Sequence, residues 1–171
     1  MKMLKGKKIY LRAPELEDSR ILSAWLNDRE SNRYLDIIYP MSKRHADSFM
    51  LEFDDDSSKK LFYIDNEDRK PIGIIIISEI KWEYRNCEIG ISIYDKAFRK
   101  KGYGADALNT ALDFIFNEMN MHLVFLKTLE ENKDAVSLYS KAGFEMEGLL
   151  RDRCYKNGKY ENIIVMSKIK E

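Results

Sequence analysis

The chain has 171 residues and carries 29 basic and 29 acidic side chains, so its formal net charge is zero; 44% of its residues are hydrophobic and 12% aromatic. That length predicts one domain over residues 1–171 with a core of its own, and the missing basic excess argues against a duplex nucleic-acid binder. Two cysteines (Cys87, Cys154), two histidines remote from them (His45, His122) and no apolar run longer than Ile72–Ile77 leave no zinc motif and no membrane helix. The basic start "MKMLKGKKIYLR" leads into no apolar signal segment, so the expectation is a reduced, cytoplasmic protein.

Along the chain, "KIYLRA" (Lys8–Ala13) alternates as a strand and Pro14 ends it. Leu16, Ile21, Leu22, Trp25 and Leu26 then take helical spacing within Glu15–Asn27, with Asp18 or Ser19 as N-cap. Ser42 caps a second helix with Ala46, Phe49, Met50 and Phe53 on one side, and Asp54–Lys60 reads as a polar loop. Leu61–Ile64, Pro71–Trp82 and Cys87–Tyr94 are β-rich runs between turn residues, which predicts a three-stranded antiparallel meander.

Between Gly102 and Met119 the apolar residues Ala107, Leu108, Ala111, Leu112, Ile115, Phe116 and Met119 repeat with the period of an amphipathic helix. His122–Thr128 reads as a strand, and "NKDAVSLYSKAGF" as a helix capped by Asn132 and stopped by Gly143. Asn157-Gly158 closes a hairpin with arms near Met146–Tyr155 and Lys159–Ile169. The order β-α-α-β-β-β-α-β-α-β-β predicts an α+β fold with one β-α-β unit.

The turn into the third helix holds Arg99, Lys100, Lys101, Gly102 and Gly104. A helix start exposes unpaired N–H groups and a partial positive charge, and glycines let a phosphate come close to them. The combination suits a pyrophosphate, although a solvated basic turn would look the same. "GYGADA" also matches the dinucleotide pattern G-x-G-x-x-A. That pattern fits poorly, because a strand should run directly into its first glycine, whereas Ile93 and Tyr94 lie well before Gly102.

"RKKGYGA" followed by "ENKDAVSLYSKAGF" resembles the pyrophosphate loop and second signature of the GCN5-related N-acetyltransferases (GNAT). "LRAPELEDSRILSAWLND" and "EGLLRDRCYKNGKYEN" resemble the opening segment and final hairpin of one branch. That branch holds the RimJ/RimL-type ribosomal-protein N-acetyltransferases and the spermidine N-acetyltransferases. The resemblance implies the GNAT fold, a central, mostly antiparallel mixed sheet of about seven strands with helices on both faces. It also implies acetyl-CoA as donor, an amine as acceptor and no metal.

Carried over position by position, the resemblance makes Glu88 the candidate base and Tyr139 the candidate acid. Without it, Glu88 would read as a solvent-facing residue of a half-exposed strand, and Tyr139 as a packed helix aromatic. The backbone of Ile91, Ser92 and Ile93 would pair with the pantetheine arm as an added strand does. Arg99, Lys100, Lys101, Gly102, Tyr103, Gly104 and Ala105 would hold the pyrophosphate. Asn132 is an N-cap, and either only that or a CoA contact as well. The acceptor region would draw on Asp28, Glu30, Tyr34, Asp36, Tyr39 and Asp54–Asp56, with Trp82–Tyr84, Asn86 and Cys87 at its border. The leading expectation for the acceptor is a protein N-terminal α-amine, followed by a small amine such as spermidine or an amino sugar. A CoA-binding module without turnover is the reading from another class. No nucleic-acid or membrane partner is expected, and monomer and homo-oligomer are both left open.

Overall fold

The computed structural model describes residues 3–35 and 39–170, so Asp36 lies outside the described residues. One eight-stranded sheet runs through the molecule. Its strands are β1 (Leu4–Lys5), β2 (Tyr10–Arg12), β3 (Lys60–Asp65), β4 (Pro71–Lys81), β5 (Asn86–Ile93), β6 (Leu123–Leu129), β7 (Glu145–Lys156) and β8 (Lys159–Ile169). The helices are α1 (Ser19–Asn27), α2 (Lys43–Asp55), α3 (Tyr103–Asp113) and α4 (Lys133–Lys141). The strand beyond the expected seven is β1, whose two residues are too few to show alternation.

The sheet order is β1-β2-β3-β4-β5-β6-β8-β7. All pairs are antiparallel except β5–β6, the two strands joined through α3. One face is covered by α1 and α2, where Leu22, Leu26, Ala46, Met50 and Phe53 pack on Leu61, Tyr63, Ile74 and Tyr94. Trp25 stacks on Tyr94 with ring centroids 5.0 Å apart. The other face receives α3, whose buried Ala107, Leu108, Ala111 and Leu112 meet Ile75, Ile77 and Ile89. Burying each such Leu or Ile contributes about 1.5–3 kcal/mol, so these two stripes fix the helices on the sheet.

Local signals account for most element ends. Ser42 accepts the His45 N–H at 3.1 Å, and Asn132 accepts that of Ala135 at 3.3 Å. Gly143 has φ 88°, and Asn157 and Gly158 have φ 51° and 83°, as a tight hairpin with two left-handed residues requires. Three expectations change. Asp18 stands before α1, but its carboxylate binds Arg12 and the Glu15 N–H instead of capping the helix. Asp54 belongs to the last turn of α2 and not to a loop. The third helix is α-helical only to Asp113 and passes into a π turn at Phe114–Glu118. The extra residue of that turn keeps Ile115 and Phe116 on the buried side.

Candidate active site

The parallel pair β5–β6 is short. Asn86, Cys87 and Glu88 pair with Leu123, Val124 and Phe125, and no register follows beyond Glu88. From there β6 pairs with β8 on its far side up to Leu129, while β5 continues along β4 to Ile93. The two strands therefore part like a V, and Glu88 is the last residue of β5 that pairs with β6. Alternation sends Cys87 and Ile89 into the core and leaves Glu88, Gly90 and Ser92 on the α1–α2 face. A Cβ placed on Gly90 would have no neighbour within 4 Å, so that face is open beside Glu88.

Beyond the apex lies a cleft of about 650 Å³. Ile91, Ser92 and Ile93 form one wall, the Phe98–Ala105 turn and the start of α4 another, and Glu30–Leu35 the roof. Lys156 on β7 donates to the carbonyls of Asn32 and Leu35, which fastens the roof to the final hairpin.

The glycine turn meets this cleft with its backbone. Gly102, the N-cap of α3, has φ 89° and supplies no side-chain cap. The first intrahelical bond runs from the Asp106 N–H to the Gly102 carbonyl, so the amides of Tyr103, Gly104 and Ala105 precede the helix ladder. The Asp106 carboxylate instead accepts the Lys7 and Lys8 N–H groups on the opposite side. A Cβ on Gly104 would lie 3.7 Å from Ile93 and 3.9 Å from Leu138, so the fold has room for one and the space stays open to a ligand. This cradle of amides fits a pyrophosphate.

The three basic residues divide. Arg99 donates through Nε to the Ile93 carbonyl (2.8 Å) and through an Nη to Ser31 Oγ (2.7 Å) and the Tyr94 carbonyl (3.1 Å). Its guanidinium thus braces the turn against β5 and the roof. Lys100 lines the cleft, exposed, and pairs with Asp134 at 3.1 Å. Lys101 is absent from the lining, and its carbonyl takes the Lys8 ammonium. The Tyr103 side chain also points elsewhere, packing edge-on against Phe98 and donating to Glu67 at 2.9 Å, so only its amide meets the cradle. Asn132 both caps α4 and lines the cleft. Lys141, unforeseen from the sequence, lines it too.

Tyr139 is buried, edge-on to Phe144, and its phenol is pushed up to about 12. Burial is the main cause; a backbone hydrogen bond from Ile91 works against it, and the Glu88 charge adds to it. The phenol, packed in the core and not among the residues that line the cleft, therefore stays protonated at neutral pH.

Glu88 is half-buried, and burial raises its carboxyl above the ordinary value. The nearby Lys127 lowers it in part, and the Glu79 carboxylate raises it again. The Lys127 ammonium lies 3.5 Å from Glu88 and 3.2 Å from Glu79. Glu79 reaches this spot through a bulge in β4, where its φ is 48°. The sequence reading missed Glu79 and Lys127, because neither the bulge nor the parallel register is visible in residue order.

The expected acceptor border is only partly assembled. Glu30 and Tyr34 line the cleft, whereas Asp28 accepts from Ser31 and Asp56 from Ser58, each within its own turn. Tyr39 is exposed, and Trp82 donates to the Ser57 carbonyl. Cys87 is sealed in the core, its thiol pushed up to about 12 by burial, so it borders no cleft. Among the described residues no group of three or more His, Cys, Asp or Glu is placed to hold a metal, and no helix is long and apolar enough to cross a membrane.

A family model described as an acetyltransferase (GNAT) domain matches residues 8–145. Spermidine N(1)-acetyltransferase of Vibrio cholerae is 28% identical over 92% of this chain and 91% of its own. The Escherichia coli K12 protein of the same description is also 28% identical, over 96% and 87%. A crystal structure of the Vibrio cholerae spermidine N-acetyltransferase in complex with CoA and spermine superposes with a TM-score of 0.88 at 28% identity, covering 95% of each chain.

Proposed function

The chain belongs to the GNAT acetyltransferase family and is an acetyl-CoA-dependent N-acetyltransferase, and on that premise we propose that its acceptor is a primary amine of a polyamine such as spermidine. The observation that carries the reading is the parting of β5 and β6 with Glu88 at its apex and the α3 amides at its mouth. The relatives favour the polyamine over the protein N-terminus expected first.

Bound acetyl-CoA supplies a thioester carbonyl that an amine can attack. The residues of this chain provide the rest. The amides of Tyr103, Gly104 and Ala105, with Lys100, hold the pyrophosphate, while the open edge of β5 at Ile91–Ile93 aligns the pantetheine arm. The Ile93 carbonyl already serves Arg99, so the alignment falls on the groups before it.

Alkyl amines are mostly protonated at neutral pH and must lose a proton to attack. Glu88 accepts it, directly or through one water, and the burial that raises its pKa makes it a better base. As the N–C bond forms and the C–S bond breaks, the Tyr139 O–H donates a hydrogen bond to the departing sulfur. A phenol near 12 is a weaker acid than a thiol near about 8.5, so complete proton transfer to a free thiolate runs uphill. Tyr139 therefore stabilises developing charge on sulfur. After C–S cleavage the amide nitrogen loses its second proton to solvent, the thiolate takes one from solvent, and Glu88 releases the first. The products are the neutral amide, CoA thiol and one proton.

The test is CoA-thiol release from acetyl-CoA with spermidine, with a peptide beginning in alanine or serine, and with an amino sugar. Spermidine is expected to be preferred by at least about tenfold in kcat/KM. Preference for the peptide would return the acceptor to a protein N-terminus. A CoA complex with no thiol release from any amine would support a binding module without turnover.

A further inference from the structure

Lys127 occupies the spot at the apex where an acceptor ammonium would be expected to stand. It lies two residues beyond Phe125, the last position of β6 that pairs with β5, and its ammonium sits between the Glu79 carboxylate at 3.2 Å and Glu88 at 3.5 Å. Two carboxylates converging on one cation form the arrangement that recognises an alkylammonium. Here the chain supplies that cation itself.

Three features of the cluster bear on its purpose. Glu79 and Lys127 keep 53% and 42% of their side-chain surface exposed, so neither is a sealed structural ion and both can exchange partners with solutes. Glu79 joins the cluster only because β4 bulges there with a left-handed residue that is not glycine, a conformation that costs stability. Gly90, on the same face as Glu88, leaves the space next to the cluster open.

We propose that Lys127 is a resident placeholder for the acceptor: its ammonium holds the Glu79–Glu88 pair until a substrate ammonium displaces it, and it thereby sets how tightly and how selectively cationic amines bind. The inference rests on the reading of Glu88 as the base. It assigns Lys127 a specificity role and Glu79 the second arm of the acceptor site. While Lys127 stands in the pair, an acceptor must compete with a cation that is always present at high local concentration. Once displaced, the lysine remains a nearby positive charge and favours loss of the acceptor's proton to Glu88.

Lys127→Met tests this directly, since the side chain is partly exposed and the change leaves its apolar stem. KM for spermidine is expected to fall about three- to tenfold, and the calorimetric Kd of spermidine on CoA-loaded protein to tighten by a similar factor. KM for an aromatic amine, uncharged at neutral pH, stays at the parent value. Lys127→Arg keeps the parent KM for spermidine, because the second cation also fills the pair. Unchanged or weaker spermidine binding in Lys127→Met, or no binding to either form, overturns the proposal. A parallel Glu88→Gln assay separates the two readings. Loss of turnover there, with unaltered spermidine affinity in Lys127→Met, removes the placeholder and keeps the base. Retained turnover in Glu88→Gln removes the base and the placeholder with it.

Discussion

The starts of α3 and α4 face one cleft, yet α4 closes its own N-terminus with the Asn132 side chain, whereas α3 opens on Gly102, whose φ of 89° comes with no side chain to cap. Both helix starts carry the same partial positive charge. What separates them is whether the chain has already satisfied its donors. In α4 the Ala135 N–H has an acceptor, so that end is chiefly structural, and the part proposed for this helix in the chemistry falls to Tyr139, two turns on. In α3 the acidic residue of the first turn faces the opposite way, onto Lys7 and Lys8, and the amides are left for an outside anion. A helix dipole alone does not make a phosphate site; an uncapped end beside a space with no Cβ does.

The contrast can be broken most severely at Gly104. Gly104→Asp brings a carboxylate to the cradle at a position where the fold has room, so the Kd of CoA should rise more than about 100-fold with little change in Tm. Equal affinity would show that the amides hold something else. Next in size is Tyr139→Phe, which removes the hydrogen bond to sulfur: kcat falls about 10²-fold while CoA affinity stays within about twofold. An unaffected kcat takes Tyr139 out of the mechanism.

Gly102→Ala forces a side chain into the left-handed region at a cost of about 1–2 kcal/mol. It should lower Tm by a few degrees and weaken CoA about tenfold, a mixed effect that Gly104→Asp avoids. The smallest binding effect is expected at α4. Asn132→Ala removes a cap worth about 1 kcal/mol, visible as about 2–4 °C in Tm, while CoA binding changes less than about threefold. A larger loss of CoA affinity than of stability would make Asn132 a ligand contact and erase the contrast.

Features that depend on neighbours in sequence were legible in advance. The apolar stripe of α3, the caps Ser42 and Asn132, the stop at Gly143 and the Asn157-Gly158 turn each rest on a few adjacent residues, and each stands where expected. The same holds for the alternation that puts Glu88 opposite Cys87 and Ile89. Features set by distant contacts were not legible. "RKK" reads as three equivalent cations, and only the meeting of Arg99 with Ser31 and the end of β5 turns one into a brace. The Glu79–Lys127–Glu88 cluster needs a bulge in one strand and a parallel register with another, which residue order does not encode locally. Cys87 misled in the other direction, because nearness to Glu88 along the chain means opposite faces across a strand.

The most direct test of the account is to follow backbone amide shifts while CoA is titrated into the protein. Large downfield shifts at Tyr103, Gly104 and Ala105, with small changes at Lys133, Asp134 and Ala135, are the result predicted for a pyrophosphate held by the uncapped start of α3. Large shifts confined to the α4 start, with the α3 amides unmoved, would contradict it.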